Sequence, residues 1–223
     1  MPPPRPPARS TSATSMARVQ VTPETFTLVE YDAGVIAGIA EELAALAGLP
    51  DDVAIDIDID EELPLPLTGS TADVVDGRAV LWFSGADFED THERARFDEA
   101  IARTEIAMSL FRAADRLNGF RAAPVDEELT DAQRTAWEAW AEGRAVAVDG
   151  ALVREPRRRY IFRLYNGFTD VADAAFDRLW STASGELDWD GLRKIVDDCA
   201  AVDPRPKPKK QGVRKERLRR ADA

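Results

Sequence analysis

The chain has one histidine, His92, and it is followed by Glu93, Arg94, Ala95 and Arg96. That run is one residue short of the His-Glu-x-x-His zinc helix, in which two imidazoles one turn apart and a third ligand hold the ion. Arg96 stands where the second imidazole belongs, and a guanidinium cation does not ligate a metal. No zinc site, and no other cofactor, is expected.

The acids invite other chemistry. Asp56, Asp58 and Asp60 alternate with Ile57 and Ile59, then lead into Glu61 and Glu62. A calcium loop also spaces its acids by two, but it needs a glycine for the sharp turn and polar residues between the ligands. On a strand these carboxylates point the same way roughly 6.6 Å apart, too far for neighbours to chelate one ion. They read as a solvated acidic face. Asp51/Asp52, Asp87/Glu89/Asp90 and Asp197/Asp198 are pairs or clusters without a histidine or serine partner. In so acidic a chain they carry no catalytic assignment.

Positive charge gathers in two places. Arg157, Arg158 and Arg159, with Arg163 beyond them, form the local basic cluster of the body. Guanidinium forks of this kind can clamp a phosphate or carboxylate, or pair with the protein's own acids. The second place is residues 204–223, which hold Arg205, Lys207, Lys209, Lys210, Arg214, Lys215, Arg217, Arg219 and Arg220. This segment carries +7 and residues 1–18 carry +3 of a formal charge of −12, which leaves −22 on residues 19–203. A body that acidic repels phosphate backbones, so contact with a nucleic acid or an acidic protein falls to the basic tail. The tail has no interleaved aromatic residues, so base stacking and sequence selectivity are not expected of it.

The elements that position these residues follow from period. Val35, Ile36, Ile39, Leu43 and Leu46 share a helical face from Asp32 to Ala47, closed by Gly48 and Pro50. Val53 to Asp60 alternates with period two and reads as a strand. Asp76-Gly77 between apolar runs signals a type I′ hairpin. A long helix is expected from Thr91 to Leu117, apolar on two sides: Phe97, Ile101, Met108 and Phe111 on one, Ile106, Leu110, Ala113 and Leu117 on the other. Such a helix must be covered on both.

Thr130 with Gln133 forms a capping box that opens a helix carrying Trp137 and Trp140. Residues 145–153 read equally as more helix or as a second hairpin at Asp149-Gly150. Tyr160 to Tyr165 reads as a strand and Asn166-Gly167 as a turn. Further helices follow, one capped by Thr169 or Asp170 with Val171, Ala175, Phe176, Leu179 and Trp180 inward, and one from Asp188 to Ala200. Cys199, the single cysteine, falls on the apolar stripe of the last helix and reads as a buried structural thiol. The five tryptophans read as core.

Residues 1–18, rich in Pro, Ser and Thr, and residues 204–223 are expected to be disordered tails. Residues 19–203 are expected to form a single α+β domain, with a small, mostly antiparallel sheet on a long central helix and further helices after it. A lone cysteine and the lack of a bilayer-length apolar run point to a cytoplasmic protein that does not enter membranes.

Asp126-Glu127-Glu128-Leu129-Thr130, Gln133 and Trp137, with Gly167-Phe168-Thr169-Asp170, Phe176, Leu179 and Trp180, resemble uncharacterised actinobacterial hypothetical proteins over most of residues 20–200. The resemblance implies no activity. The order helix, strand, hairpin, long helix is similar to small zincin-like domains, which admits a degenerate, inactive relative. The leading expectation is a non-catalytic interaction or regulatory protein tethered by its basic tail. The alternative is a small enzyme or binder of an anionic small molecule using Arg157–Arg159.

Overall fold

The alternation at Val53–Asp60 does what its period dictates. Strand β2 (Ile55–Asp60) buries Ile55, Ile57 and Ile59 and turns Asp56, Asp58 and Asp60 to the opposite face. The computed structural model describes residues 19–62, 70–146, 148, 150–181 and 186–203. The two expected tails, 1–18 and 204–223, lie outside the described residues.

Strands β3 (Thr71–Val75) and β4 (Arg78–Ser84) form the expected hairpin. Asp76 and Gly77 both adopt positive φ, 49° and 78°, as a type I′ turn demands. A short strand that the sequence reading missed, β1 (Val19–Thr22), completes a four-stranded sheet ordered β1-β2-β4-β3. Two of its three pairings, β1 with β2 and β2 with β4, are parallel. This corrects the expected mostly antiparallel sheet. Helix α1 (Ala33–Leu46) carries the chain back from β1 to a parallel neighbour, and β3 does the same between β2 and β4.

Helix α2 (Glu99–Leu117) starts later than its apolar pattern suggests, with the Asp98 carboxylate accepting from Ile101 N at 2.9 Å. Residues before it are held back by bridges from Glu89 to Phe97 and from Glu30 to Arg96. They leave the Phe97 ring among Tyr31 and Phe88 rather than on the helix. The expectation that α2 is covered on both sides holds. Ile106, Leu110 and Ala113 join the core under the sheet with Ile36, Leu43, Leu81 and Phe83. The other side lies against α3 (Asp131–Ala145) and buries Met108, Arg112 and Asp115. Phe111 and Leu117 are only partly buried.

Residues 160–165 are not a strand. They belong to helix α4 (Glu155–Asn166), which has a proline in its first turn and buries Arg158, Phe162 and Asn166. That spacing of four, rather than two, is what decides the element. Helix α3 ends at Ala145, and Leu152–Arg154 make neither helix nor strand. Helices α5 (Asp170–Ser181) and α6 (Trp189–Val202) close a second core of Trp137, Trp140, Phe162, Phe176, Trp189 and Cys199. Gly143 permits the α3–α5 approach, since a Cβ there would lie 2.8 Å from the Trp180 carbonyl oxygen. The result is one α+β fold with two cores meeting along α2. Among the described residues no helix is long and apolar enough to cross a membrane.

Candidate functional site

Polar chemistry concentrates where α2 meets α3. Residues 112, 115 and 116 of α2 face residues 134, 137 and 144 of α3, with the short 3-10 turn Asp126–Glu128 over the end of the interface. Arg112 and Asp126 form an ion pair in which both side chains are fully buried. Arg134 reaches the other carboxylate oxygen of Asp126, Nη1 to Oδ2, at 2.6 Å. Arg116 lies beside them, its Nε 2.9 Å from Asp73 Oδ1 and from the Ala72 carbonyl, its Nη1 donating to the Pro124 carbonyl at 3.0 Å. Edge strand β3 is thereby fastened to α2 by a side chain. Trp137 is the hub. Its Nε1 donates to Asp115 Oδ2 at 2.7 Å, and the guanidinium carbons of Arg112 and Arg116 lie 5.0 and 4.9 Å from its ring centroid. Arg144 closes the far side with a two-pronged contact to Asp115 at 2.8 and 2.6 Å, stacked 3.7 Å over Trp140.

Burial is the largest cause of the shifts at three of these side chains. It raises the Asp115 carboxyl above its ordinary value, with the Arg144 and Trp137 hydrogen bonds opposing. It raises Asp73 and lowers Arg116, each opposed by the charge of the other. A second network runs from α3 to α4. Arg158 Nε donates to Glu142 at 2.5 Å and its Nη1 to Glu138 at 2.6 Å, while Arg154 reaches Glu105 at 2.8 Å. Burial works against the Arg158 charge, but Glu138, Glu142 and Glu105 more than offset it and raise its pKa.

Of the two readings open for Arg157–Arg159, an anion clamp or pairing with the protein's own acids, Arg158 and Arg159 take the second. Arg158 points inward to Glu138 and Glu142, and Arg159 pairs with Glu155 and Asp177. Arg157 alone stands exposed. The three side chains do not converge. The zinc-helix comparison also loses its geometry, because His92 sits in an exposed bend before α2, where no helical spacing exists. Among the described residues no group of three His, Cys, Asp or Glu side chains is placed to hold a metal ion.

Several of the other acids serve local structure. Asp56 pairs with Arg78, Asp60 accepts from Glu62 N at 3.0 Å, and Glu61 accepts from Thr27 N and Leu28 N. Glu89 and Asp90 accept from Ala95 N and His92 N. Cys199 is buried as expected, and burial pushes its thiol up. The basic tail residues Lys207, Lys209, Lys210, Arg214, Lys215, Arg217, Arg219 and Arg220 lie outside the described residues.

A cleft of about 360 Å³ opens at the C-terminal end of α2, lined by Asp73, Val74, Arg116, Leu117, Phe120, Arg121, Ala123 and Val125. Its cations are engaged: Arg116 as above, and Arg121 through Nε to the Leu117 carbonyl at 2.6 Å. Sequence reading missed the α2–α3 cluster, although a signal was present. Arg112 and Asp115 fall on the same arc as Ile101 and Met108, so two charges sit on a stripe that must be buried. The chain matches no protein-family model, no curated protein and no solved structure.

Proposed function

We propose that this chain is a non-catalytic interaction protein of the cytoplasm, an acidic body tethered to a polyanion or an acidic partner by residues 204–223. The observation that supports this reading is where the body's arginines are spent. Arg112, Arg116, Arg134, Arg144, Arg154, Arg158, Arg159 and Arg163 all face carboxylates of the same molecule. Those cations are neutralised by the protein's own acids, and residues 19–203 keep a charge of −22. The nine Lys/Arg of the tail are the densest run of positive charge left to meet phosphates.

Salt titration against a labelled RNA duplex tests this. The full chain is expected to bind at low salt and weaken with a log–log slope no steeper than about −8, the counterion release of nine contacts. Removing 204–223 is expected to abolish binding. Equal binding by the truncated chain overturns the proposal, and so does a full chain that binds neither the duplex nor polyglutamate at low salt.

A further inference from the structure

The cleft at the C-terminal end of α2 combines an apolar lining with cations at its edge. Val74 of edge strand β3 lines it with Leu117, Phe120, Ala123 and Val125, beside Asp73, Arg116 and Arg121. Its volume of about 360 Å³ falls within the range of small-ligand pockets.

The carboxylates around it are already committed. Asp73 faces Arg116 Nε at 2.9 Å and accepts from the Asp126 N–H at 3.3 Å. Asp126 is shared by Arg112 and Arg134, and Asp115 is held by Arg144. Donor capacity is left over. Arg116 Nη2 is buried without a hydrogen-bond acceptor, and the Asp126 Oδ1 beside it is 3.8 Å away. Arg121 is exposed and makes no ion pair among the described residues. Its Nε donates to the Leu117 carbonyl at 2.6 Å. That anchor fixes the guanidinium and leaves its two terminal amino groups, a fork that matches a carboxylate.

The negative end of α2 is blunted, so it does not turn an anion away. Asn118 Nδ2 donates to the Ala114 carbonyl, the Asn118 and Phe120 N–H groups to Asp115, and Arg121 to Leu117.

We propose that this cleft binds a carboxylate carried on a short apolar body. Arg121 grips the carboxylate, and Val74, Leu117 and Val125 cover the body. A phosphate dianion is the poorer ligand, because it brings a second charge to an apolar lining that already holds Asp73. The carboxylate can come from a free organic acid or from the C-terminal residue of a peptide. No residue of the site lies in 204–223, so the inference fails or stands independently of the tether.

Amide NMR of the full chain, titrated with phenylacetate, is the test. The Val74, Arg121 and Ala123 amides are expected to shift with a dissociation constant of about 1 mM or tighter. Phenylacetamide, which lacks the charge, is expected to bind at least about tenfold more weakly. Arg121→Gln is expected to weaken phenylacetate about tenfold at an unchanged melting temperature, because the side chain is exposed. Arg157→Gln and removal of 204–223 are each expected to leave binding as it is. An acetylated tripeptide ending in a free phenylalanine separates the two sources. Tighter binding than phenylacetate assigns the cleft to chain ends and weaker binding to free acids, and either result supports the site. No shift of these amides at about 10 mM of phenylacetate or tripeptide overturns the inference. It is overturned too if phenylacetamide binds as well as the acid, if Arg121→Gln changes nothing, or if binding disappears with 204–223.

Discussion

The two cores on either side of α2 are built from different forces. Under the sheet, aliphatic side chains such as Ile55, Ile57, Leu81 and Leu110 form the buried cluster. Their stabilisation is non-directional and scales with area. Between α2 and α3, aromatic rings share the interior with Arg112, Asp115, Arg116, Asp126 and Arg134, all buried. There the favourable terms are directional and conditional, because each charge is tolerable only while its partner is in place. The first region should absorb small changes. The second should fail abruptly.

The hardest test removes the shared carboxylate. Asp126→Ala strands Arg112 and Arg134 in the interior and is expected to cost about 3–5 kcal/mol, a large part of an ordinary domain's stability. Thermal unfolding should drop by about 10 °C or more. If the loss comes from stranded charge rather than from packing, replacing all three members, Arg112→Met and Arg134→Met with Asp126→Leu, should recover much of it. A triple variant as unstable as Asp126→Ala would show that the geometry of the cluster, not its neutralisation, holds the helices.

A milder probe addresses the sheet. Ile57→Val removes one methylene from a fully packed site, and urea denaturation should show a loss of about 0.5–1.5 kcal/mol with unchanged slope. A loss as large as that at Asp126 would erase the contrast between the halves.

The smallest effect concerns the open acidic face. Burial, then the neighbouring Asp60 charge, raises the Asp58 carboxyl above its ordinary value. A folded pKa above the unfolded one means that ionisation works against the fold. Asp58→Asn should therefore stabilise the protein at pH 7, by no more than a few tenths of a kcal/mol after solvent screening. The gain should fade as pH falls below the carboxylate range, where the unmodified side chain is protonated in both states. Melting curves at pH 7 and pH 3 decide it, and a gain that persists at pH 3 would point to a cause other than charge.

The same contrast explains what could be read beforehand. Strand β2, the β3–β4 turn, the apolar face of α1 and the capped start of α3 are local, and period or turn chemistry revealed them. β1 escaped notice because four residues hold too little alternation, and its pairing with β2 is set by a partner more than thirty residues away. α4 was misread because Tyr160, Phe162 and Leu164 alternate as a strand would. Its buried set, Arg158, Phe162 and Asn166, includes two polar residues that a hydrophobic pattern cannot mark as interior. The arginine cluster at 157–159 was visible as charge. Its division into one buried, one paired and one exposed side chain was not.

By itself, the sequence determined the fold class, the acidic body, the hairpin, the burial of Cys199 and the two-sided covering of α2. All of these follow from composition, period or a few adjacent φ/ψ preferences. Tertiary structure alone decided the parallel pairings, the placement of Asp126 against Arg112 and Arg134, and which side of α4 is buried. The reason is the range of the interaction. A helix or turn is selected by neighbours within four residues, whereas a buried ion pair exists only when distant segments arrive together and exclude water.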